Sequence, residues 1–261
     1  MMKALYTSAT GMKAHQFLLD VISNNLANVN TTGYKRVQVS FQDLLYDKFV
    51  AAGSEAAAGI QTPTGLQVGS GVRVVATNKV FSQGVAESTG RSLDWAIQGN
   101  GFFQISHPDG TVVYTRDGTL HLNSTGAIVN SEGLLLEPSI TIPTTATSIS
   151  IGSDGTISTQ SADGSTTSVG TVSLASFANP AGLESLGKNL FRETTASGTP
   201  TTGTAGQNGV GEILQGYRES SNVEVVTELV NLIIAQRAYE TSAKAIKASD
   251  DMLRATNRIV S

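Results

Sequence analysis

The sequence predicts an α+β fold: long coiled-coil-like helices at both ends, flanking an inserted all-β domain of barrel or sandwich type, with an extended linker. Three observations carry this. Residues 223–258 hold neither Pro nor Gly and set apolar side chains on a heptad-like seam. Residues 3–29 repeat that spacing at the other end. Between about 79 and 193, short apolar alternations recur between Asn-Gly and Asp-Gly pairs, the signature of hairpins.

In the first helix, Leu5, Met12, Leu19, Ile22, Leu26 and Val29 share one seam, with Ser8 and His15 at its remaining positions. Gly11 weakens the interior by about 1 kcal/mol. The run Asn24, Asn25, Asn28, Asn30 and then Gly33 suits a left-handed helix end. Residues 34–46 alternate weakly. Residues 47–64 have no steady period and read as a long excursion, which compact domains rarely tolerate unless it is functional. A strand-like pattern resumes at 65–75.

The predicted division is therefore a discontinuous helical core at 1–34 and 222–261, a linker and insertion at 35–78 and 205–221, and a β-rich domain at 79–204. The turn pairs Asn100-Gly101, Asp109-Gly110, Asp117-Gly118, Asp154-Gly155 and Asp163-Gly164 suggest type I′ hairpins. The lone Trp95 is expected in the β core. Residues 196–211 are of low complexity.

In the second helix, Val225, Leu229, Leu232, Tyr239, Ala243, Ile246, Leu253 and Val260 step by fours and threes. Gln236, Asp250 and Asn257 interrupt the same seam with polar groups that could set register. Ser221 with Glu224 forms a candidate capping box, and Asn222 is an alternative cap. Early Glu224 and Glu228 and late Arg254 and Arg258 suit the helix dipole. About 36 helical residues make a rod of roughly 54 Å. A compact globule of this chain length is only roughly 47 Å across. A seam that long needs a second long helix, neighbouring molecules, or both.

Composition narrows the function classes. A formal net charge of −4 and no basic cluster argue against a nucleic-acid partner. The absence of cysteine excludes disulfides and thiolate chemistry. The start of the chain has no apolar h-region, so no cleaved signal peptide is expected, and no apolar run is long enough to cross a bilayer. The three histidines, His15, His107 and His121, show no metal-ligand spacing. No G-x-S-x-G and no complete G-x-G-x-x-G occurs. No catalytic constellation, metal or cofactor is expected.

The run Asn25-Leu26-Ala27-Asn28-x-x-Thr31-x-Gly33-Tyr34-Lys35 resembles the motif that ends the first helix in bacterial flagellar rod and hook proteins. LDWAIQGNGFFQI at 93–105 with PDG and YTRDG resembles that family's β-domain opening, and residues 215–253 resemble its C-terminal helix. Within the family, the length and the stretch from Phe41 to Val72 are most similar to the distal-rod branch. Trp95 stands where a smaller aliphatic residue is expected.

The resemblance implies a structural, non-enzymatic subunit that polymerises through its terminal helices into a straight hollow tube. It also implies an insertion, mapped to about 46–64 and represented by Tyr46, Phe49, Ile60 and Pro63, that touches adjacent subunits. The partners it implies are other copies of the chain, the proximal rod and hook proteins, the P- and L-ring proteins, the rod cap and the type III export apparatus. The location it implies is the periplasm-spanning rod. A proximal rod or hook-type subunit is the alternative within the family. A secreted β-domain glycan binder or enzyme with helical oligomerisation ends is the alternative outside it.

Overall fold

A computed structural model describes residues 2–53, 55–57, 60–61, 63–207 and 209–260, with side chains described except in 55–61 and at 257, 259 and 260. Ile60, Asn257 and Val260, singled out from the sequence, therefore lie outside the described side chains. The chain divides into two compact units, one formed by 1–26, 37–78 and 224–261, the other by 27–36 and 79–223.

The first unit holds helix α1 (Met2–Ala27), helix α2 (Val225–Val260) and six short strands: β1 (Val37–Asp43), β2 (Tyr46–Val50), β3 (Glu55–Ala57), β4 (Ile60–Gln61), β5 (Leu66–Gly69) and β6 (Val72–Lys79). The strands pair in nested order, β1 with β6, β2 with β5 and β3 with β4, which makes one long hairpin arm. The stretch expected as an aperiodic excursion is thus a ladder. Ala57 pairs with Ile60 across its β3–β4 step, and its small side chains carry little hydrophobic periodicity for a reader to find. Lys3 fastens α1 to the arm, donating to the Val68 carbonyl at 3.1 Å and pairing with Asp47 at 2.5 Å. The Asn25 carboxamide does the same at the other end of α1, accepting from the Val37 N–H at 3.0 Å and donating to the Val37 carbonyl at 2.9 Å.

Helix α2 starts later than its candidate caps. Neither Asn222 nor the Ser221–Glu224 box caps it: the Asn222 side chain is hydrogen-bonded within the β unit, and the Ser221 hydroxyl accepts the Val223 N–H at 3.3 Å, ahead of the helix. Instead the Glu224 carbonyl accepts the Glu228 N–H at 3.0 Å, and its carboxylate accepts the Thr227 hydroxyl at 2.8 Å.

The second unit is all-β: β7 (Ala86–Ser88), β8 (Trp95–Gln98), β9 (Phe102–Ser106), β10 (Val112–Thr115), β11 (Leu120–Leu122), β12 (Ile128–Asn130), β13 (Leu135–Glu137), β14 (Ala146–Ile151), β15 (Thr156–Ser161), β16 (Thr166–Thr171), β17 (Ser173–Ser176), β18 (Glu184–Gly187), β19 (Leu190–Arg192), β20 (Thr201–Thr204), β21 (Glu212–Gln215) and β22 (Tyr217–Glu219). The main sheet runs β11-β12-β13-β9-β10-β19-β18, with β17 bonded to β9 and β20 to β17. Strands β14, β15 and β16 form a separate antiparallel sheet. Residues 205–221, expected as linker, instead carry β21 against β8 and β22 against β7.

Alternation along β9 explains the core. Phe103 and Ile105 enter the main cluster with Trp95, Ile97, Leu120 and Leu136. Phe102 points the other way, into a group with Tyr114, Phe177 and Phe191 whose rings meet edge to face. Trp95 is fully buried as expected, and its ring N–H donates to the Ser92 carbonyl at 2.9 Å.

The turns differ from expectation. Type I′ needs positive φ at both central residues. Among the described residues the only non-glycines with positive φ are Lys188 and Asn189. Gly110, Gly155 and Gly164 instead sit at φ near +80° and bond back three residues, to His107, Gly152 and Ser161. These are type I turns closed by a left-handed glycine.

Candidate functional site

The motif Asn25–Lys35 runs from the first unit into the second, and Asn25, Asn28, Thr31, Gly33 and Lys35 all bond within the chain. Asn25 clamps Val37, as described above. Past the helix, the Asn28 carbonyl and side-chain oxygen take the Thr31 N–H and hydroxyl, each at 3.2 Å. Gly33 has φ of +67°, and a Cβ there would lie 2.8 Å from the Arg116 carbonyl carbon, so both its conformation and its surroundings demand glycine. Its N–H donates to the Glu219 carbonyl at 2.8 Å. Tyr34 is buried, with the Lys79 ammonium 5.7 Å from its ring centre.

Lys35 is completely buried. Its ammonium pairs with Glu219 at 2.5 Å and donates to the Ser82 carbonyl at 2.9 Å. The same Glu219 oxygen accepts the Gly84 N–H at 2.9 Å. The other carboxylate oxygen faces the Arg116 guanidinium at 3.4 Å, and Arg116 also donates to the Gly99 carbonyl at 2.8 Å and lies over the Phe102 ring. Burial pushes the Lys35 ammonium below the usual lysine range, against the raising effect of Glu219. Burial likewise lowers Arg116, with Glu219 opposing.

Beside this cluster, Asn222 accepts the Arg36 N–H at 2.7 Å and donates to the Val80 and Ser82 carbonyls. The segment after the first helix is thus stitched to residues 80–84, 116 and 219–222. This ties residues 33–36 into the β unit.

Sequence reasoning named Lys35, missed Glu219 and Arg116, and read Asn222 only as a candidate helix cap. The partners are 184 residues apart for Lys35 and Glu219, and nothing local marks the pair.

The seam residues fare unevenly. Ile22 is buried, and Leu5, Met12, Leu19, Leu26 and Val29 are half-buried. On α2, Leu232, Tyr239, Ala243, Ile246 and Leu253 are half-buried, while Val225, Leu229 and Gln236 are exposed. The row with least exposure is instead Glu228, Leu232, Ala235, Tyr239, Ser242, Ile246, Ser249 and Leu253. Alternate positions are displaced by one residue from the predicted seam. Small side chains allow that, because Ser242 stands 3.6 Å from where a Cβ on Gly11 would lie. In the arm, Tyr46, Phe49 and Pro63 are exposed.

Three family models match the chain: flagella basal body rod protein over residues 5–35, the flagellar hook protein FlgE/F/G D1 domain over 96–159, and the flagellar basal body rod FlgEFG protein C-terminal region over 214–259. The flagellar basal-body rod protein FlgG of Buchnera aphidicola subsp. Schizaphis graminum is 46% identical over 260 residues, spanning 99% of this chain and 100% of that one. That of Borreliella burgdorferi is 43% identical over 262 residues, with 99% of each chain covered. The flagellar hook protein FlgE of Helicobacter pylori is 44% identical over 138 residues, 52% of this chain but only 19% of the hook protein. On a likeness that runs end to end, this chain belongs to the flagellar basal-body rod protein FlgG family, whose members are structural proteins and not enzymes.

Proposed function

We propose that the chain is a subunit of the distal rod, polymerising into a straight, rigid, hollow tube that transmits torque to the hook and conducts exported subunits. The observation that carries this reading is the contrast in burial. The β unit closes its own core, while α2 and the arm leave large apolar side chains such as Val226, Ile234 and Phe49 exposed. Copies of the chain supply the missing cover: the seams of residues 1–34 and 222–261 pack coiled-coil fashion around the channel. The arm, with Tyr46, Phe49, Ile60 and Pro63, staples adjacent subunits. The β domain, of barrel or sandwich type, forms the outer wall facing the P- and L-rings.

The proximal rod, the hook, the rod cap and the type III export apparatus are the further partners on this reading, and the periplasm-spanning rod is its location. Electron microscopy of the purified chain under polymerising conditions tests it. Straight tubes are expected. Bent tubes would favour a hook-type subunit, and closed oligomers or persistent monomers would overturn the proposal.

A further inference from the structure

A rod grows by adding identical copies in one direction. That requires a heterologous contact, two different patches on each copy that fit one another, because a self-matching patch closes at a dimer. Among the described residues of the helix-and-arm unit, and apart from the apolar side chains exposed along the arm itself, two open apolar surfaces match one another. The first is a ridge over the opening turns of α2, where Val226, Leu229, Val230, Ile233 and Ile234 are exposed, from 43% at Leu229 to 69% at Val226. The second is a groove of about 580 Å³ between α1 and the base of the arm, walled by Tyr6, Phe17, Leu44, Val72 and Val74.

We propose that the ridge of one copy seats in the groove of the next. This rests on the reading of the chain as a polymerising subunit and names the two faces through which it polymerises. The dimensions agree: Val226 to Ile234 spans about 12 Å of helix, and Tyr6 to Phe17 about 17 Å. The charges agree as well. Lys13, Arg73 and Asp20 line the groove. The ridge is bounded by Glu224 and Arg237, both exposed. Glu224 toward Lys13 and Arg73, with Arg237 toward Asp20, gives the contact one direction. Burying five aliphatic side chains against an apolar wall supplies the adhesion, and the flanking charges supply its polarity.

The test uses the full-length chain in two variants whose substitutions lie on exposed helix faces. The ridge variant is Val230→Glu with Ile234→Glu, and the groove variant is Tyr6→Glu with Phe17→Glu. Each alone is expected to keep the circular dichroism of the parent and to lose polymerisation. Mixed in equal amounts, they are expected to form a 1:1 dimer by sedimentation and to stop there, since one intact ridge meets one intact groove. Polymerisation of either variant at the parent rate would overturn the proposal, and so would a mixture that stays monomeric.

Because the chain has no cysteine, Phe17→Cys with Ile234→Cys gives an independent reading. A ladder of disulfide-linked copies is expected in oxidised tubes. Tubes that form but yield no ladder would overturn the ridge–groove contact while leaving the rod reading intact. Failure of the parent to polymerise would count against the rod reading, and the dimer of the mixed variants would still decide the contact.

Discussion

Phe103 in β9 and Ile234 in α2 are both large apolar residues, yet the first is fully buried and the second 60% exposed. The difference runs through the whole of their units. In the β unit, alternation along the central strands, such as β9, sends one face to the main core and the other to a second cluster, so that unit covers its own largest apolar side chains. In the helix-and-arm unit, two helices and a thin hairpin cannot enclose all the apolar surface they carry. On the proposed reading, one chain contains a region that closes its own core and a region whose apolar surface other copies cover. Substitutions should separate the two.

The largest effect is expected at Glu219. It is the carboxylate set between the buried cations Lys35 and Arg116. Glu219→Gln removes the charge and leaves both cations buried, at a cost of about 3–5 kcal/mol. Urea unfolding followed by Trp95 fluorescence measures it. A loss below about 1 kcal/mol would mean the clasp contributes nothing to the closed unit.

Gly84→Ala is the next step down. A Cβ there would lie 1.9 Å from the Ser220 carbonyl oxygen, a backbone atom just past β22 in a residue whose N–H is bonded to the Val85 carbonyl. The neighbouring Gly84 N–H bond to Glu219 would be displaced along with it. The expected loss is about 1–3 kcal/mol in the same assay. Wild-type stability would show that this part of the β unit is looser than its packing indicates.

The helices invert the expectation. Ile234→Ser is predicted to change monomer stability by no more than about 0.5 kcal/mol, as exposed substitutions do. Hydrogen exchange sharpens the comparison further. Amides of α1 and α2 should exchange by local opening in the monomer and become protected on polymerisation, while those of β9 keep their protection in both states. Terminal helices already protected like β9 in dilute monomer would erase the contrast.

What the sequence disclosed follows the same division. Both helices were legible because a period of three and four is a local property that survives without tertiary context. Their phase was harder to read. Val225 and Leu229 look like seam residues, but the least exposed row passes through buried Ala235 and Ser249 and half-buried Ser242, whose small side chains hydrophobic periodicity does not register. The hairpin positions were visible in the Asp-Gly pairs. Their turn type was not, since a left-handed glycine after a type I turn and a type I′ turn can share the same dipeptide. The clasp was half legible. Gly33, Tyr34 and Lys35 stood out through family resemblance, but Glu219 and Asn222 reach them only through the fold.

The smallest predicted effect lies in an exposed turn of the closed unit. The Asp109 carboxylate is held down to about 2, first by the Thr111 hydroxyl, then by the His107 ring and the Thr111 N–H. A carboxyl whose folded pKa lies below its unfolded value stabilises the fold above the unfolded value. That contribution fades as pH falls from about 4 toward about 2, because the unfolded chain then binds the proton more readily. Carboxyl titration by NMR should place the Asp109 midpoint near 2. Thr111→Val removes the leading cause and should move the midpoint up toward the ordinary aspartate range, with the hairpin still formed by the Gly110 bond to His107. Because the group is exposed, the shift should scarcely touch global unfolding. If the midpoint stayed near 2 in Thr111→Val, the hydroxyl would not be its cause and the turn would owe its low pKa to the backbone and the histidine.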